Sequence, residues 1–198
     1  MVPTDAGLTL LPIARAAIAT ALGRTMEAVE SAIWLQQPSA CFVTLTQAGQ
    51  LRGCIGSLEA RRTLLADTKA NAVAAALHDP RFAPLSTQEL DNVQVEVSVL
   101  SPMQGLNFSD EADALAQLRP GVDGLVFACN GRRSTFLPQV WEQLPDPRVF
   151  LAHLKRKAGL AGDFWSDAVR MQRYTVSKWS ESSAPTGKGN LASPGLSA

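Results

Sequence analysis

Helices laid on antiparallel strands are what this sequence predicts, on three observations. Two strand pairs are joined by short turns: 41–46 with 51–55 across Gln47-Ala48-Gly49-Gln50, and 125–129 with 132–137 across Asn130-Gly131. Such links impose antiparallel pairing, and Asn-Gly suits a turn whose two central residues need positive φ. A third strand, 93–100, carries valine at 93, 95, 97 and 99 with Gln94, Glu96 and Ser98 between them. One apolar face requires a cover, and the apolar stripe of a helix predicted over 63–77 supplies it.

The remaining elements follow in chain order. Residues 10–22 read as an alanine-rich helix, with Thr9 as N-cap, Pro12 in the first turn and Gly23 past its end. Residues 26–34 read as a short helix or irregular chain. The helix over 63–77 stops at His78-Asp79-Pro80, because proline disfavours helix at the residue before it. Residues 81–85 read as extended loop. Ser86-Thr87-Gln88-Glu89 matches a capping box and predicts a helical turn. Ser109 is expected to cap a helix over 110–118, and Pro138 to start a short one through Gln143. Asp146, Pro147 and Gly159 bracket a further helix, whose Lys155-Arg156-Lys157 suits the negative end of its dipole. We read that triplet as a solvated helix end. Residues 169–176 read as one last strand. From Ser180 on, Ser, Gly and Pro dominate, so 1–180 is expected to form a single domain and 181–198 a disordered tail.

Composition narrows the function classes. Lys plus Arg number 18 and Asp plus Glu 18, so no net charge draws the chain to phosphate backbones or anionic lipid. We therefore expect no nucleic-acid and no membrane partner. The three cysteines, 41, 54 and 129, are far apart, which argues against a disulfide framework. That spacing, a start without a basic leader and the lack of a long apolar run point to the cytoplasm. No pair of His or Cys has zinc-ligand spacing, and no P-loop or dinucleotide fingerprint occurs, so neither metal nor cofactor is expected. His78 and His153 read as structural or surface residues.

Chemistry concentrates in Leu51-Arg52-Gly53-Cys54-Ile55-Gly56. Glycine inside a strand marks a bulge or a close backbone approach, and two of them flank Cys54. Strict alternation sends Arg52 and Cys54 to one face and Leu51 and Ile55 to the other. A guanidinium beside a thiol favours the thiolate, the nucleophilic form. A lone cysteine on a strand also serves as a small core residue. Glu96, at mid-strand opposite four valines, is either a solvated face residue or a base and partner for Arg52. The expected ligand-binding set is Arg52, Gly53, Cys54, Gly56 and Glu96, with Cys54 and Glu96 as catalytic candidates.

The LRGCIG stretch, continued by Ser57-Leu58-Glu59, resembles the signature of the AMMECR domain. Further blocks in order are similar to the same family. They are Asp79-Pro80-Arg81-Phe82 with Pro84-Leu85, then 95–102, 121–125 and 131–141, then 154–160 and Trp165-Ser166. The resemblance spans residues 8–178; Ala60 stands where proline is expected. In bacteria and archaea such chains are known as AmmeMemoRadiSam system protein A. The resemblance implies an α+β fold of two subdomains, each an antiparallel sheet with packed helices, and the signature strand facing the cleft between them. It further implies a Memo-like protein and a radical S-adenosylmethionine enzyme as partners, and a large ligand such as a protein or modified macromolecule.

Two functions follow. One is a binding protein whose cleft grips that ligand. The other is an enzyme with Cys54 as nucleophile and Arg52 and Glu96 in support.

Overall fold

The computed structural model describes residues 2–181. The fold is α+β. Its helices are α1 (Gly7–Ala21), α2 (Leu64–Leu77), α3 (Glu111–Ala116) and α4 (Pro147–Lys157). The strands are β1 (Pro38–Ser39), β2 (Cys41–Gln47), β3 (Gln50–Gly56), β4 (Arg62–Thr63), β5 (Val93–Leu100), β6 (Gln104–Gly105), β7 (Gly124–Cys129), β8 (Arg132–Phe136), β9 (Arg170–Tyr174) and β10 (Val176–Ser180). Two four-stranded antiparallel sheets result, ordered β10-β5-β2-β3 and β6-β9-β7-β8, and β1 pairs with β4. No helix among the described residues is long and apolar enough to cross a membrane.

The first sheet forms as its alternation demands. Cys41, Val43 and Leu45 of β2 and the four valines of β5 are buried on one face. Helix α1 covers β5, while α2 lies on β2 and β3 and packs against α1. This corrects the expectation that α2 covers the valines: α2 is centred on the β2–β3 hairpin, and α1 takes the place over β5. Thr63 caps α2 by accepting the Ala66 N–H at 3.3 Å. Ala6, not Thr9, occupies the N-cap of α1 and makes no side-chain cap bond.

The second sheet has its own core of Leu125, Phe127, Phe150, Leu151 and Leu154, with Trp141 stacked on Phe150 at 3.7 Å. Asn130 and Gly131 both take positive φ, as the β7–β8 turn predicts. Asp146 caps α4 through the N–H groups of Arg148 and Val149. Lys155 overturns the reading of a solvated triplet. It is fully buried, its Nζ donating to Glu111 of α3 at 2.5 Å and lying over the Trp165 ring. Helix α3 packs against α4 there.

The single strand expected over 169–176 is two. Thr175 separates β9, in the second sheet, from β10, which pairs β5 in the first. Ser101 and Thr175 face each other where both chain segments pass between the sheets: the Ser101 N–H donates to the Thr175 carbonyl, and the Thr175 N–H to Ser101 Oγ. A small cluster of Ala40, Leu100, Val126 and Tyr174 packs at this junction. The expected tail lies outside the described residues except for Glu181. That carboxylate accepts Arg15 Nε at 2.6 Å and the Val95 N–H at 2.8 Å.

Candidate functional site

The outer face of the first sheet, away from α1 and α2, carries the predicted chemistry. Across the strands, Cys54 of β3 stands opposite Thr44 of β2, Thr44 opposite Glu96 of β5, and Glu96 opposite Ser180 of β10. The neighbouring row runs Gly56, Phe42, Ser98, Lys178. Above them, Gly121 and residues 137–139 close a cavity of about 240 Å3 that Thr44, Cys54, Glu96 and Lys178 line. Thr44 Oγ1 donates to Cys54 Sγ at 3.4 Å. Glu96 accepts the Ser180 hydroxyl at 3.0 Å and pairs with Lys178 at 3.3 Å.

Cys54 and Glu96 therefore share one cavity, and Arg52 is elsewhere. A β-bulge explains its departure. Leu45 pairs with Gly53 and Thr46 with Leu51, so Arg52 is the extra residue of a two-against-one step and has no partner. The bulge breaks the alternation: Leu51, paired with Thr46, comes to the face of Cys54 against the expectation that it joins Ile55, and Arg52 does not line the cavity. Arg52 Nε instead donates to Glu89 at 3.1 Å and its Nη1 to the Ala83 carbonyl at 2.9 Å. Glu89 also accepts the N–H and hydroxyl of Ser86, the back-reach of the predicted capping box. Arg52 first, and then Ser86, pull the Glu89 carboxyl down to about 2.

The two glycines have packing causes. A Cβ at Gly53 would strike the Ala75 carbonyl of α2, and one at Gly56 the Phe42 ring. The close approach predicted from sequence is thus to the chain's own helix and to an aromatic ring of the cavity wall. Gly56 borders the site through Phe42, whereas Gly53 faces the core.

Sequence reasoning did not single out Asp79 and Arg81, which hold Cys54 by its backbone. Asp79 Oδ2 accepts the Cys54 N–H at 2.8 Å, and Arg81 Nη2 donates to the Cys54 carbonyl at 3.2 Å. These two side chains occupy the outer edge of β3, where a fifth strand would otherwise pair. The Arg81 guanidinium first, then the Cys54 and Arg81 amides, hold the Asp79 carboxyl well below the usual range. Thr44 and Lys178 were also missed. Strict alternation against Val43 and Leu45 points to Thr44; for Lys178 no signal existed until β10 was known to join this sheet. Both histidines are exposed and outside the cavity. Among the described residues no three His, Cys, Asp or Glu side chains gather to hold a metal ion.

Comparison with known proteins bears on this arrangement. The AMMECR1 family profile matches residues 11–179. The chain belongs to the AMMECR1 family. A protein of Methanothermobacter thermautotrophicus is 38% identical over 177 residues, covering 86% of this chain and 91% of the relative. Protein MJ0810 of Methanocaldococcus jannaschii is 36% identical over 145 residues, covering 71% and 72%. Among solved structures, the uncharacterized protein PH0010 from Pyrococcus horikoshii superimposes with a TM-score of 0.75 at 32% identity, covering 88% of this chain and 91% of that one. In this AMMECR1-family chain β3 thus does two things: Arg52, at its bulge, braces the 83–89 loop, and Cys54 faces the cavity.

Proposed function

We propose that this AMMECR1-family protein is a binding protein that takes one protruding group of a large ligand into the Cys54 cavity. One observation carries the reading: the hydrogen bond to Cys54 Sγ comes from Thr44, a hydroxyl that cannot serve as base. Glu96 stands one strand beyond Thr44, its Cα about 10 Å from that of Cys54 by the ordinary strand spacing. General-base activation of a nucleophile needs the base within hydrogen-bond reach of the thiol. A binding cavity makes no such demand.

Size favours a macromolecular ligand. Pockets for whole small molecules span about 300–1,000 Å3, and this one, at about 240 Å3, suits a single side chain or modified group. In the same proposal, the Memo-like and radical S-adenosylmethionine proteins that the family resemblance implies act on that ligand before or after it is held here.

The test is capture from extract of the protein's own cells, with mass spectrometry of retained proteins and small molecules. Wild type, Ser98→Phe and Cys54→Ser are compared. Ser98 lies on the cavity floor, so phenylalanine fills it, while Cys54→Ser keeps its shape. A species held by wild type and Cys54→Ser but lost from Ser98→Phe is the expected result. Equal capture by all three would overturn the reading.

A further inference from the structure

Three further hollows join end to end along one side of the molecule, and none shares a residue with the Cys54 cavity. The first, about 330 Å3, has Trp34, Leu64, Val99 and Pro102 in its walls. Through Pro38, Ser39 and Ser101 it continues into a second of about 280 Å3, lined by Leu58 and Met103. Glu59 and Arg133 lead from there into a third, about 450 Å3, walled by Arg61 and Arg62. Apolar surface thus passes into cationic surface along a single groove.

The charges at its far end are not balanced. Arg62 pairs with Asp67, whose carboxylate is buried and also accepts the Cys41 N–H, the Ser57 hydroxyl and Asn71 Nδ2. That pair is consumed inside the fold. Arg61 and Arg133 both turn to the one carboxylate of Glu59, so one positive charge is left over. Arg61 is 80% exposed and Arg133 43%, so both can add a second carboxylate from solvent.

We propose that this groove seats an extended segment of a partner protein in which apolar residues adjoin carboxylates. Trp34 and its neighbours take the apolar side chains, and Arg61 with Arg133 takes the acidic end. A compact small molecule fills one hollow; only an elongated chain reaches both ends. The charge surplus selects an acidic segment over a basic one.

The experiment is an amide NMR titration of the full chain with three mixtures of hexapeptides. Each peptide joins a block randomised over Leu, Ile, Val and Phe, in either order, to a block of Asp, Ser or Lys. Amides of Ser39, Leu58 and Ser101 should shift with the Asp mixture, about tenfold more weakly with Ser, and not with Lys. The double variant Arg61→Ser/Arg133→Ser leaves Glu59 unpaired and should bind the Asp mixture no better than the Ser mixture, its other amides unmoved. No shift with any mixture, equal shifts with Asp and Lys, or an undiminished Asp preference in the variant would overturn the proposal. Removing residues 182–198 provides a further arm. If that strengthens binding, the groove's occupant is the chain's own terminal segment and not a partner. Because the Cys54 cavity shares no residue with this groove, a species that Ser98→Phe loses from capture reports on that cavity whatever the groove binds.

Discussion

Cys54 and Glu96 face one cavity with a single hydroxyl, that of Thr44, between them. This spacing separates thiol from carboxylate, and pairing with Glu89 keeps the Arg52 guanidinium out of the cavity. The reactivity of Cys54 should therefore owe little to Arg52 or Glu96. With iodoacetamide, the native protein should lose Cys54 while Cys41 and Cys129, both buried, survive until denaturation. Cys41 is protected twice, since burial, with the Asp67 charge behind it, pushes its thiol up to about 12. At fixed pH, Arg52→Ala should change the Cys54 rate by less than about twofold. Peptide mapping of the alkylated protein checks each point, and a tenfold slowing in the variant would restore Arg52 to the site.

Gly53 should tolerate no side chain. Its Cβ would meet the backbone carbonyl of Ala75, which cannot move without shifting α2. We expect Gly53→Ala to cost about 3 kcal/mol, read as a fall in Tm of roughly 6–12 °C for a chain of this size. Gly105→Ala, with nothing within 4 Å of its Cβ, is the control and should stay within about 0.5 kcal/mol. Thermal melts of both variants decide the matter.

Acid should loosen the loop that Arg52 braces. The Glu89 carboxyl ionises at about 2 in the fold against an ordinary 4.5. A depressed value means that its contribution is complete above about pH 4.5 and is lost as pH falls towards 2. Glu89→Gln should thus cost about 1 kcal/mol at neutral pH, a modest figure because the pair is partly solvated. By about pH 2 the two proteins should converge. Urea denaturation across that range measures the difference, and a constant gap at all pH values would refute the assignment.

Removing one partner from a buried ion pair costs more than removing both. Glu111→Ala leaves the Lys155 ammonium buried against Trp165 and should destabilise by about 2 kcal/mol, moderated because Glu111 itself reaches solvent. Adding Lys155→Met should recover most of that loss. A double-mutant cycle by chemical denaturation supplies the number.

Local sequence signals located the elements wherever the chain decides its own geometry. Asn130-Gly131, Asp146-Pro147 and the Val93–Val99 alternation each act through neighbours in sequence, and each gave the element observed. What escaped depends on residues far apart. Nothing in 169–176 says that β9 and β10 join different sheets, since both segments alternate acceptably. The bulge at Arg52 exists only in relation to Leu45 and Thr46 across the hairpin, so a single strand read alone does not reveal it. Lys155 looked solvated because charge is its only local signal, and the helix that buries it is more than thirty residues upstream. For the site, Cys54 and Glu96 were legible as odd residues on otherwise ordinary strands. Thr44 was legible as well, but its position between them needed the register.

The crossing at Ser101 and Thr175 has a consequence for synthesis. The ribosome finishes β5 before any of the second sheet, yet β5 does not receive its neighbour β10 until β6 to β9 have all been made. Residues 104–174 hold a contiguous sheet with its own apolar cluster, so that part is complete while the first sheet still has an open edge along its most apolar strand. Strand β10 and Glu181 then close onto α1, with Trp179 over Gly7 and Glu181 on Arg15. The nascent chain must protect its valine strand through that interval. Helix α1, which emerges before β5, already covers its valine face.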